Sequence, residues 1–266
     1  MLAGRPKTVS DVPRKQTRKA LEVTLGGTAP VIDGKLNEWP ANDAVGWAQI
    51  DDRTRATLWF TTNRIHGAFR TGDAKLLDNS ATDPRFLFKK GGALDICFGT
   101  KWNPGNLKEN NPYRPGDCRL LIAKVNGKPT AMLYRPLDPL ATKDDECIFE
   151  SPIGKEVFAS VKDITSELEF AEDGAGNYEF SVPLATVLRV EFKKLGKQDW
   201  HEDKTVILGD LGIIRGNGVQ NVQRLCWNSL DTWMTSDIPS EARWRSLNWG
   251  VLKLIAGTPD STVPEK

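Results

Sequence analysis

Val31-Ile32-Asp33-Gly34-Lys35-Leu36-Asn37-Glu38-Trp39-Pro40 is the stretch of this 266-residue chain that says most about its fold. An apolar pair leads into Asp33-Gly34. This dipeptide favours a tight turn because glycine tolerates positive φ and aspartate accepts hydrogen bonds from its own backbone. Trp39 follows at a short, fixed offset, so its indole ring can fold back over the turn. The stretch therefore predicts a sharp turn covered by an aromatic side chain.

Short runs of alternating apolar and polar residues lie on both sides of this turn, and such runs are typical of half-buried strands. Residues 21–25 alternate, and residues 56–60 and 65–69 form two runs across a brief polar connection, which indicates an antiparallel pair. The remaining predicted strands cover residues 93–98, 120–125, 130–134, 166–170, 178–182, 206–214, 219–227 and 249–254.

The connections between these runs also favour a β protein. Asn126-Gly127 suits the type I′ turn of a hairpin, and residues 173–177 mark a second hairpin. Pro183 opens a short helical turn at residues 183–188, and residues 228–248 are predicted to be a long loop. No helical pattern reaches three full turns and no internal repeat is visible. The sequence therefore predicts an all-β, antiparallel β-sandwich, jelly-roll-like, with long loops and at most short helical turns.

Length and charge place these strands in one domain with a tail at each end. We predict a basic leader at residues 1–20, a single β-sandwich domain at 21–256 and a tail at 257–266. The leader carries six basic residues against one acid, which leaves −4 for the remainder of a +1 chain and argues against nucleic acid as a partner. No apolar run of about 18 residues occurs, so no membrane span is expected. The first residues lack the apolar core of an intact signal peptide.

The chain has four cysteines, Cys97, Cys118, Cys147 and Cys226. Their spacing is too wide for a zinc site. Cys97 and Cys226 fall inside strand-like apolar runs and are expected to be buried thiols. A disulfide between Cys118 and Cys147 stays open for a secreted protein, because spacing alone does not supply the geometry.

The opening stretch resembles the start of family 9 carbohydrate-binding modules and of their relatives in the DOMON-like superfamily. Those domains begin with Ile-Asp-Gly-x-Leu-x-Glu-Trp, which this chain carries at residues 32–39. Residues 56–73, 92–96, 176–184 and 236–250 resemble later strands of these modules, so the likeness covers roughly residues 20–255. One departure is that the late acid expected in 176–184 is Ser181 or absent, with Glu179 nearby.

The resemblance implies a non-catalytic, extracellular or periplasmic module that binds polysaccharide or oligosaccharide, as part of a larger polysaccharide-degrading protein. Family 9 modules are understood to clamp a sugar between two indole rings, with amide, aspartate and basic side chains bonding its hydroxyls. Trp102 and Trp233 lie in polar loops and are the predicted platforms, and Trp244 lies in a third such loop. The predicted hydroxyl partners are Arg215, Asn217, Gln220, Arg224, Asn228 and Asp231. The alternative is that Trp102 and Trp233 only pack against their own loops.

Two cofactors need consideration, because relatives of this type hold them. The candidate calcium ligands are Asp73, Asp78, Asp83 and Asp95. Calcium takes about six to eight oxygen ligands, often from such loops, and the alternative is a solvated acidic loop. Some DOMON-like domains bind haem through methionine and histidine, but the only histidines here are His66 and His201, so no haem is expected.

Two other classes of function stay open. A hydrolase needs a pair of carboxyl groups at a set separation, and a lyase needs a base such as tyrosine, histidine or lysine. No sequence motif marks either of them. A protein-interaction domain would instead use the basic leader and exposed aromatic residues.

Overall fold

Sixteen β-strands and two short α-helices make up the described part of the chain, which in this computed structural model is residues 17–41, 46–99, 113–189, 205–230 and 237–256. The strands are β1 (Ala20–Leu25), β2 (Ala48–Gln49), β3 (Arg55–Phe60), β4 (Arg64–Arg70), β5 (Asp78–Asn79), β6 (Ala93–Gly99), β7 (Cys118–Val125), β8 (Lys128–Arg135), β9 (Cys147–Ser151), β10 (Gly154–Phe158), β11 (Ser160–Asp163), β12 (Glu169–Glu172), β13 (Asn177–Pro183), β14 (Thr205–Gly216), β15 (Asn221–Cys226) and β16 (Gly250–Ala256). The helices are α1 (Leu184–Leu188) and α2 (Ile238–Ala242). The predicted all-β class is confirmed. No helix among these residues is long and apolar enough to cross a membrane.

Fourteen of these strands form one curled sheet, and β9 with β10 forms a separate hairpin. The sheet order is β11-β8-β7-β6-β14-β16-β1-β3-β4-β13-β12, with β15 beside β14, β2 beside β3 and β5 beside β7. The sheet is mixed and not wholly antiparallel as predicted, because β1 pairs in parallel with both β16 and β3. Parallel neighbours need long connections. The chain supplies them, since residues 26–54 separate β1 from β3 and most of the chain separates β1 from β16.

Side-chain alternation along β6, β7, β8 and β14 sorts the apolar residues into two cores. The inner core is enclosed by the curled sheet and includes Leu94, Ile96 and Phe98 of β6. The outer core lies on the other face of the same strands. There Tyr134 packs beneath a covering layer made of the β9–β10 hairpin, α2 and residues 81–88. The outer face of these strands is thus covered by the chain itself.

The opening turn is anchored by Glu179 of β13. Its buried carboxylate accepts the backbone N–H groups of Asp33 at 3.1 Å and Gly34 at 2.6 Å, and the indole Nε1–H of Trp39 at 2.5 Å. Gly34 has a φ of 87°, and a side chain there would meet the backbone of β12 at 2.8 Å. Glu179, which lies near the position where the resemblance expected an acid, therefore holds the opening turn and Trp39 against β13.

Most predicted strands are confirmed, but some elements were missed. The β7–β8 hairpin turns at Asn126 and Gly127, whose positive φ angles of 51° and 75° suit a type I′ turn. The predicted helical turn at 183–188 is α1. Neither the β9–β10 hairpin nor β11 was predicted, although β9 alternates between buried and exposed residues. Residues 228–248, predicted to be a loop, contain α2.

All four cysteines are free thiols. Cys97 is buried as expected, whereas Cys226 is half-buried. Cys118 belongs to the inner core and Cys147 to the outer core, so the two lie on opposite sides of the sheet. They do not form the disulfide that the sequence left open.

The two ends of the curled sheet differ in their connections. At one end, which we call the turn end, β14 turns into β15, β7 turns into β8 and β12 turns into β13. At the other, the cleft end, β6 ends at Gly99, β8 ends at Arg135 and β14 begins at Thr205. Two long connections, residues 100–117 and 189–204, leave from the cleft end. Because binding residues are concentrated on loops held by a rigid scaffold, this end has more chain to offer a ligand.

Candidate functional site

Arg215, a predicted sugar contact, lies at the turn end among carboxylates. Its Nη2 donates to Asp51 Oδ2 at 2.8 Å and Thr54 Oγ1 at 3.2 Å, and its Nη1 lies 3.7 Å from Asp73 Oδ2. Burial raises the pKa of Asp51, but hydrogen bonds from Arg215 and from nearby backbone N–H groups bring that pKa down to about 2. Arg215 therefore ties the connections before β3 and after β4 to the end of β14.

Asn217 shapes the β14–β15 turn through its own side chain. Its Oδ1 accepts the backbone N–H groups of Val219 at 3.0 Å and Gln220 at 2.9 Å, which is usual for asparagine in turns. Gln220 is exposed at the tip of the same turn. The hydrogen bonds of the turn account for an asparagine at position 217, and Gln220 is a surface residue.

Arg224 lies on the opposite face of the β14–β15 ribbon from Arg215. It pairs across the ribbon with Ile214, and its Nε donates to Asp95 Oδ2 at 2.9 Å beneath the covering layer. Asp95 also binds Arg119, whose Nε and Nη2 each donate to it at 2.7 Å. Burial raises the pKa of Asp95, but the charges of the two arginines lower it to about 2. Arg224 is thus a buried structural residue, which corrects its predicted contact with a sugar.

Asn228 and Asp210 fix the segment that follows β15. The buried Asn228 side chain accepts the Lys19 N–H at 2.8 Å and donates to the Asn248 carbonyl at 2.7 Å, so it too is structural and its predicted role is corrected. Asp210 accepts the backbone N–H groups of Asn228 at 3.0 Å and Ser229 at 2.6 Å. Burial raises the pKa of Asp210 to about 7. The chain therefore runs from β15 toward the cleft end while bonded to β14.

The remaining predicted site residues, Trp102, Trp233 and Asp231, lie outside the described residues. On the path to Trp102, the last described residue is Gly99, which pairs with Leu208 of β14. On the path to Trp233, the chain passes Ser229, which is bonded to Asp210 of β14. Arg215 lies seven residues beyond Leu208 on β14, or about 23 Å away at about 3.3 Å per residue. Arg215, Asn217 and Gln220 therefore lie at the opposite end of the sheet from Gly99 and Ser229, which precede the two tryptophans.

Trp244, which the sequence placed in an exposed loop, is buried in the outer core. Its ring contacts those of Tyr113, Phe158 and Trp249, with centroid separations of 5.5, 5.3 and 6.4 Å. The expectation of an exposed indole was wrong, because α2 and the residues after it fold down onto the sheet as part of the covering layer.

The four carboxylates predicted to bind calcium are not brought together. Asp95 belongs to the buried ion pairs described above, and Asp83 caps a 3₁₀ turn and binds the Arg85 guanidinium at 2.7 Å. Asp73 accepts a nearby backbone N–H, and Asp78 is exposed on β5. Within the described ranges, no three histidine, cysteine, aspartate or glutamate side chains are placed to hold a metal ion.

A cavity of about 520 Å³ lies at the cleft end, between the two edges of the curled sheet, and we call it the seam cavity. One wall is the inner face of β8 and β11. The other is α1 together with residues 164–167, which connect β11 to β12. The polar residues of its lining are Arg135, Ser160, Lys162, Asp163, Glu167, Thr186 and Arg189.

Arg135 is the buried cation of the seam cavity. Its Nη2 donates to the carbonyl oxygens of Thr186 at 2.5 Å and Val187 at 2.7 Å, at the end of α1. Its Nε lies 3.8 Å from Asp138 Oδ2. Its Nη1 is also buried and has no hydrogen-bond partner in the part of the chain that the structure describes. Burial and the neighbouring charge of Arg189 lower the pKa of Arg135.

The rim of the seam cavity carries both hydrogen-bond donors and acceptors. Arg189 follows α1 with a φ of 55°, and its Nη2 lies 2.5 Å from Asp138 Oδ2. Ser160 Oγ donates to the same carboxylate oxygen at 2.8 Å. Glu167 accepts the hydroxyl of Thr186 at 2.6 Å. This mixture suits a ligand with hydroxyl groups, because each hydroxyl can both donate and accept.

Sequence reasoning did not single out Arg135 or Arg189. A signal was present in β8, where Ala131 and Leu133 alternate onto the inner core and Arg135 occupies the next position of the same face. A charged residue in an apolar register indicates a buried ion pair or a binding site, because burying an unpaired charge is costly. No comparable signal marks Arg189, since its conformation depends on how α1 ends.

Comparisons with known proteins bear on the fold. No family model matches the sequence, and no curated protein matches it significantly. Among solved structures, a family 9 carbohydrate-binding module from Caldicellulosiruptor kristjanssonii in complex with cellotriose matches at a TM-score of 0.51 and 13% identity, over 93% of this chain and 100% of that one. A glucose complex of a family 9 module from the same organism gives a TM-score of 0.50 and 13% identity, over 92% and 100%. This chain therefore has the fold of a family 9 carbohydrate-binding module.

Proposed function

We propose that this protein is a non-catalytic carbohydrate-binding module that binds polysaccharide or oligosaccharide. The observation that carries the proposal is the likeness to family 9 modules, which extends over 93% of the chain. The two matched modules were solved with cellotriose and with glucose, which are neutral sugars. Because a shared fold does not by itself fix a ligand, the proposal needs a test on this protein.

Trp102 and Trp233 are the proposed platforms for a sugar ring. An indole face offers apolar surface on which the C–H face of a pyranose stacks, while oriented polar groups bind the hydroxyls. Support comes from the chain path, since it leaves for both tryptophans near the cleft end, where the seam cavity also lies. Arg215, Asn217 and Gln220 belong to the turn end, so we do not include them in the proposed site.

Retention on a panel of insoluble polysaccharides, with titration of soluble oligosaccharides, tests the proposal. We expect the intact protein to bind at least one neutral glycan and to release neither reducing ends nor unsaturated sugars. Replacing Trp102 and Trp233 together by alanine should weaken binding at least about tenfold, or about 1.4 kcal/mol, because the stacking surface is removed. The melting temperature should stay close to that of the wild type.

Gln220→Ala is the matched control, because it truncates an exposed polar residue at the turn end and should leave the affinity unchanged. An intact protein that retains no glycan on a broad panel contradicts the proposal. Release of sugar products would favour the hydrolase or lyase alternative.

A further inference from the structure

The seam cavity has the size and the two-sided lining of a small-molecule site. Its volume of about 520 Å³ lies within the range of roughly 300–1,000 Å³ that is typical of ligand pockets. Leu133 and Ile164 supply buried apolar surface, and Ala185 of α1 adds a small exposed side chain. Apolar surface beside oriented polar groups is what a sugar ring needs, because the ring presents both C–H and hydroxyl groups.

Arg135, whose side chain lines this cavity, has one buried donor without a hydrogen-bond partner among the described residues. Buried N–H groups without a partner are rare in folded proteins, because their lost hydration is not replaced. The Nη2 and Nε of Arg135 are committed to Thr186, Val187 and Asp138, while its Nη1 has no partner among the described residues. This Nη1 has almost no accessible surface, so it lies behind the wall of the cavity, and Arg135 supports that wall through its bonds to α1 and Asp138.

Arg189 adds a second guanidinium at the rim. It ends α1 with a φ of 55°, a conformation that glycine adopts far more readily than arginine. A left-handed residue at this position is a common way for a helix to end, and here it sets the direction in which the Arg189 side chain leaves α1. The strained position places a second guanidinium against Asp138, at the edge of the seam cavity.

The charges of the seam cavity favour a neutral ligand. Three cations line it, and they are offset by Asp163 and Glu167 in the lining and by Asp138 behind it. A carboxylate ligand would meet these anions at close range. A hydroxyl group can instead accept from a guanidinium and donate to a carboxylate.

We infer that the seam cavity binds one residue of a neutral sugar, with Arg189 at the rim donating to a sugar oxygen and Asp163 or Glu167 accepting from hydroxyl groups. This inference rests on the proposed function, because it names the part of the fold that holds the glycan. Ala185 lies where a larger side chain would take up the volume of the ligand.

Titration with neutral and acidic trisaccharides tests this inference. The neutral probes are cellotriose, xylotriose and mannotriose, and the acidic probe is trigalacturonate. Ala185→Trp places an indole in the cavity without removing a polar group, and Ala175→Trp makes the same change at an exposed position of the turn end. We expect Ala185→Trp to weaken neutral-sugar binding at least about tenfold. Ala175→Trp should keep wild-type affinity, and both variants should keep the wild-type melting temperature.

Arg189→Gly keeps the test decisive if Ala185→Trp does not fold. Glycine relieves the left-handed backbone, but the buried Asp138 loses its ion-pair partner, so unfolding free energy should fall and is measured beside the affinity. Affinity for the neutral probes should still fall, because the rim has lost its donor. Rescue by Arg189→Lys should be partial, since an ammonium donates without the planar fork of a guanidinium.

Each outcome separates the inference from the proposed function. Suppose that the wild-type protein binds a neutral trisaccharide and that Ala185→Trp and Arg189→Gly both bind it equally well. That result overturns the inference and leaves the proposed function standing. Tighter wild-type binding of trigalacturonate than of every neutral probe overturns the assignment of a neutral ligand. Absence of wild-type binding to all four probes and to every polysaccharide on the panel overturns the proposed function itself.

Discussion

The turn end and the cleft end of the curled sheet use polar residues in opposite ways. At the turn end, Arg215 is bonded to Asp51 and Thr54, and Asn217 accepts two backbone N–H groups of its own turn. At the cleft end, Arg135 keeps a buried Nη1 without a partner in the described chain, and it lines a cavity of about 520 Å³. At the turn end these groups hold one another, while at the cleft end the polar groups surround an empty volume. An unpartnered buried nitrogen does not separate the two ends, since Arg224 Nη1 on the β14–β15 ribbon is another.

This difference shows why polar loop composition is a weak guide to a binding site. Asparagine, aspartate and arginine near turns often satisfy the backbone and each other, so their presence indicates a turn before it indicates a ligand. A cavity lined by polar side chains is a stronger indicator than an unpartnered buried donor, because Arg224 and Trp244 also keep such donors inside the fold. The tests below ask whether the satisfied groups are structural and whether the open ones bind.

The largest expected effect concerns the buried ion pairs of the outer core. Asp95→Ala leaves Arg119 and Arg224 as uncompensated buried charges, which should cost about 3–5 kcal/mol of unfolding free energy. Urea unfolding at neutral pH measures this loss. Calcium and EDTA should not change the stability of the wild type or of the variant, because the Asp95 oxygens are bonded to arginine and not available to a metal.

Asp83→Ala is the matched control, since Asp83 pairs with Arg85 near the surface and losing such a pair should cost no more than about 1 kcal/mol. A calcium-dependent wild-type stability that disappears in Asp95→Ala would contradict the ion-pair account and restore the predicted metal site.

A smaller effect is expected from Asp210, which anchors the segment running toward the cleft end. Its folded pKa of about 7 lies above the ordinary value of 3.8, so the folded state keeps this proton to a higher pH than the unfolded chain. Stability from this group is therefore fully present below about pH 4 and falls as the pH rises to about 7. The slope is at most about 1.4 kcal/mol per pH unit. Asp210→Asn cannot ionise and should lose this slope.

The quantity to measure is the difference in unfolding free energy between the wild type and Asp210→Asn at a series of pH values. Contributions from other groups cancel in that difference, including that of His66, whose pKa burial lowers to about 4. We expect the unfolding free energy of the wild type to fall relative to that of the variant as the pH rises toward about 7. A difference that stays constant from about pH 4 to 8 would rule out a buried carboxyl with a raised pKa.

Much of the fold could be predicted from local patterns, and the failures concern long-range choices. The alternation at 56–60 and 65–69 and the turn at Asn126-Gly127 depend on neighbouring residues, so the sequence shows them directly. The parallel pairing of β1 with β16 joins residues more than 200 positions apart, and no local pattern specifies it. The anchoring of Gly34 and Trp39 by Glu179 is likewise set by the tertiary fold.

The site was harder to predict than the fold, because composition does not say which polar groups satisfy one another. Arg215 and Arg224 are close in sequence, yet alternation along the β14–β15 ribbon turns them to opposite faces. Arg135, by contrast, interrupts an apolar face of β8, and the alternation of the sequence alone shows this interruption. A charged residue at a strand position that faces the core is therefore a more useful signal of a candidate site than polar residues in loops.

Backbone amide chemical shifts, followed while the protein is titrated with the neutral trisaccharide it binds best, test the central claim most directly because they report both ends of the sheet at once. We predict the largest shifts at residues 160–164 and 185–189 around the seam cavity, with residues 217–220 unchanged. Shifts confined to residues 217–220, with none around the seam cavity, would contradict the account.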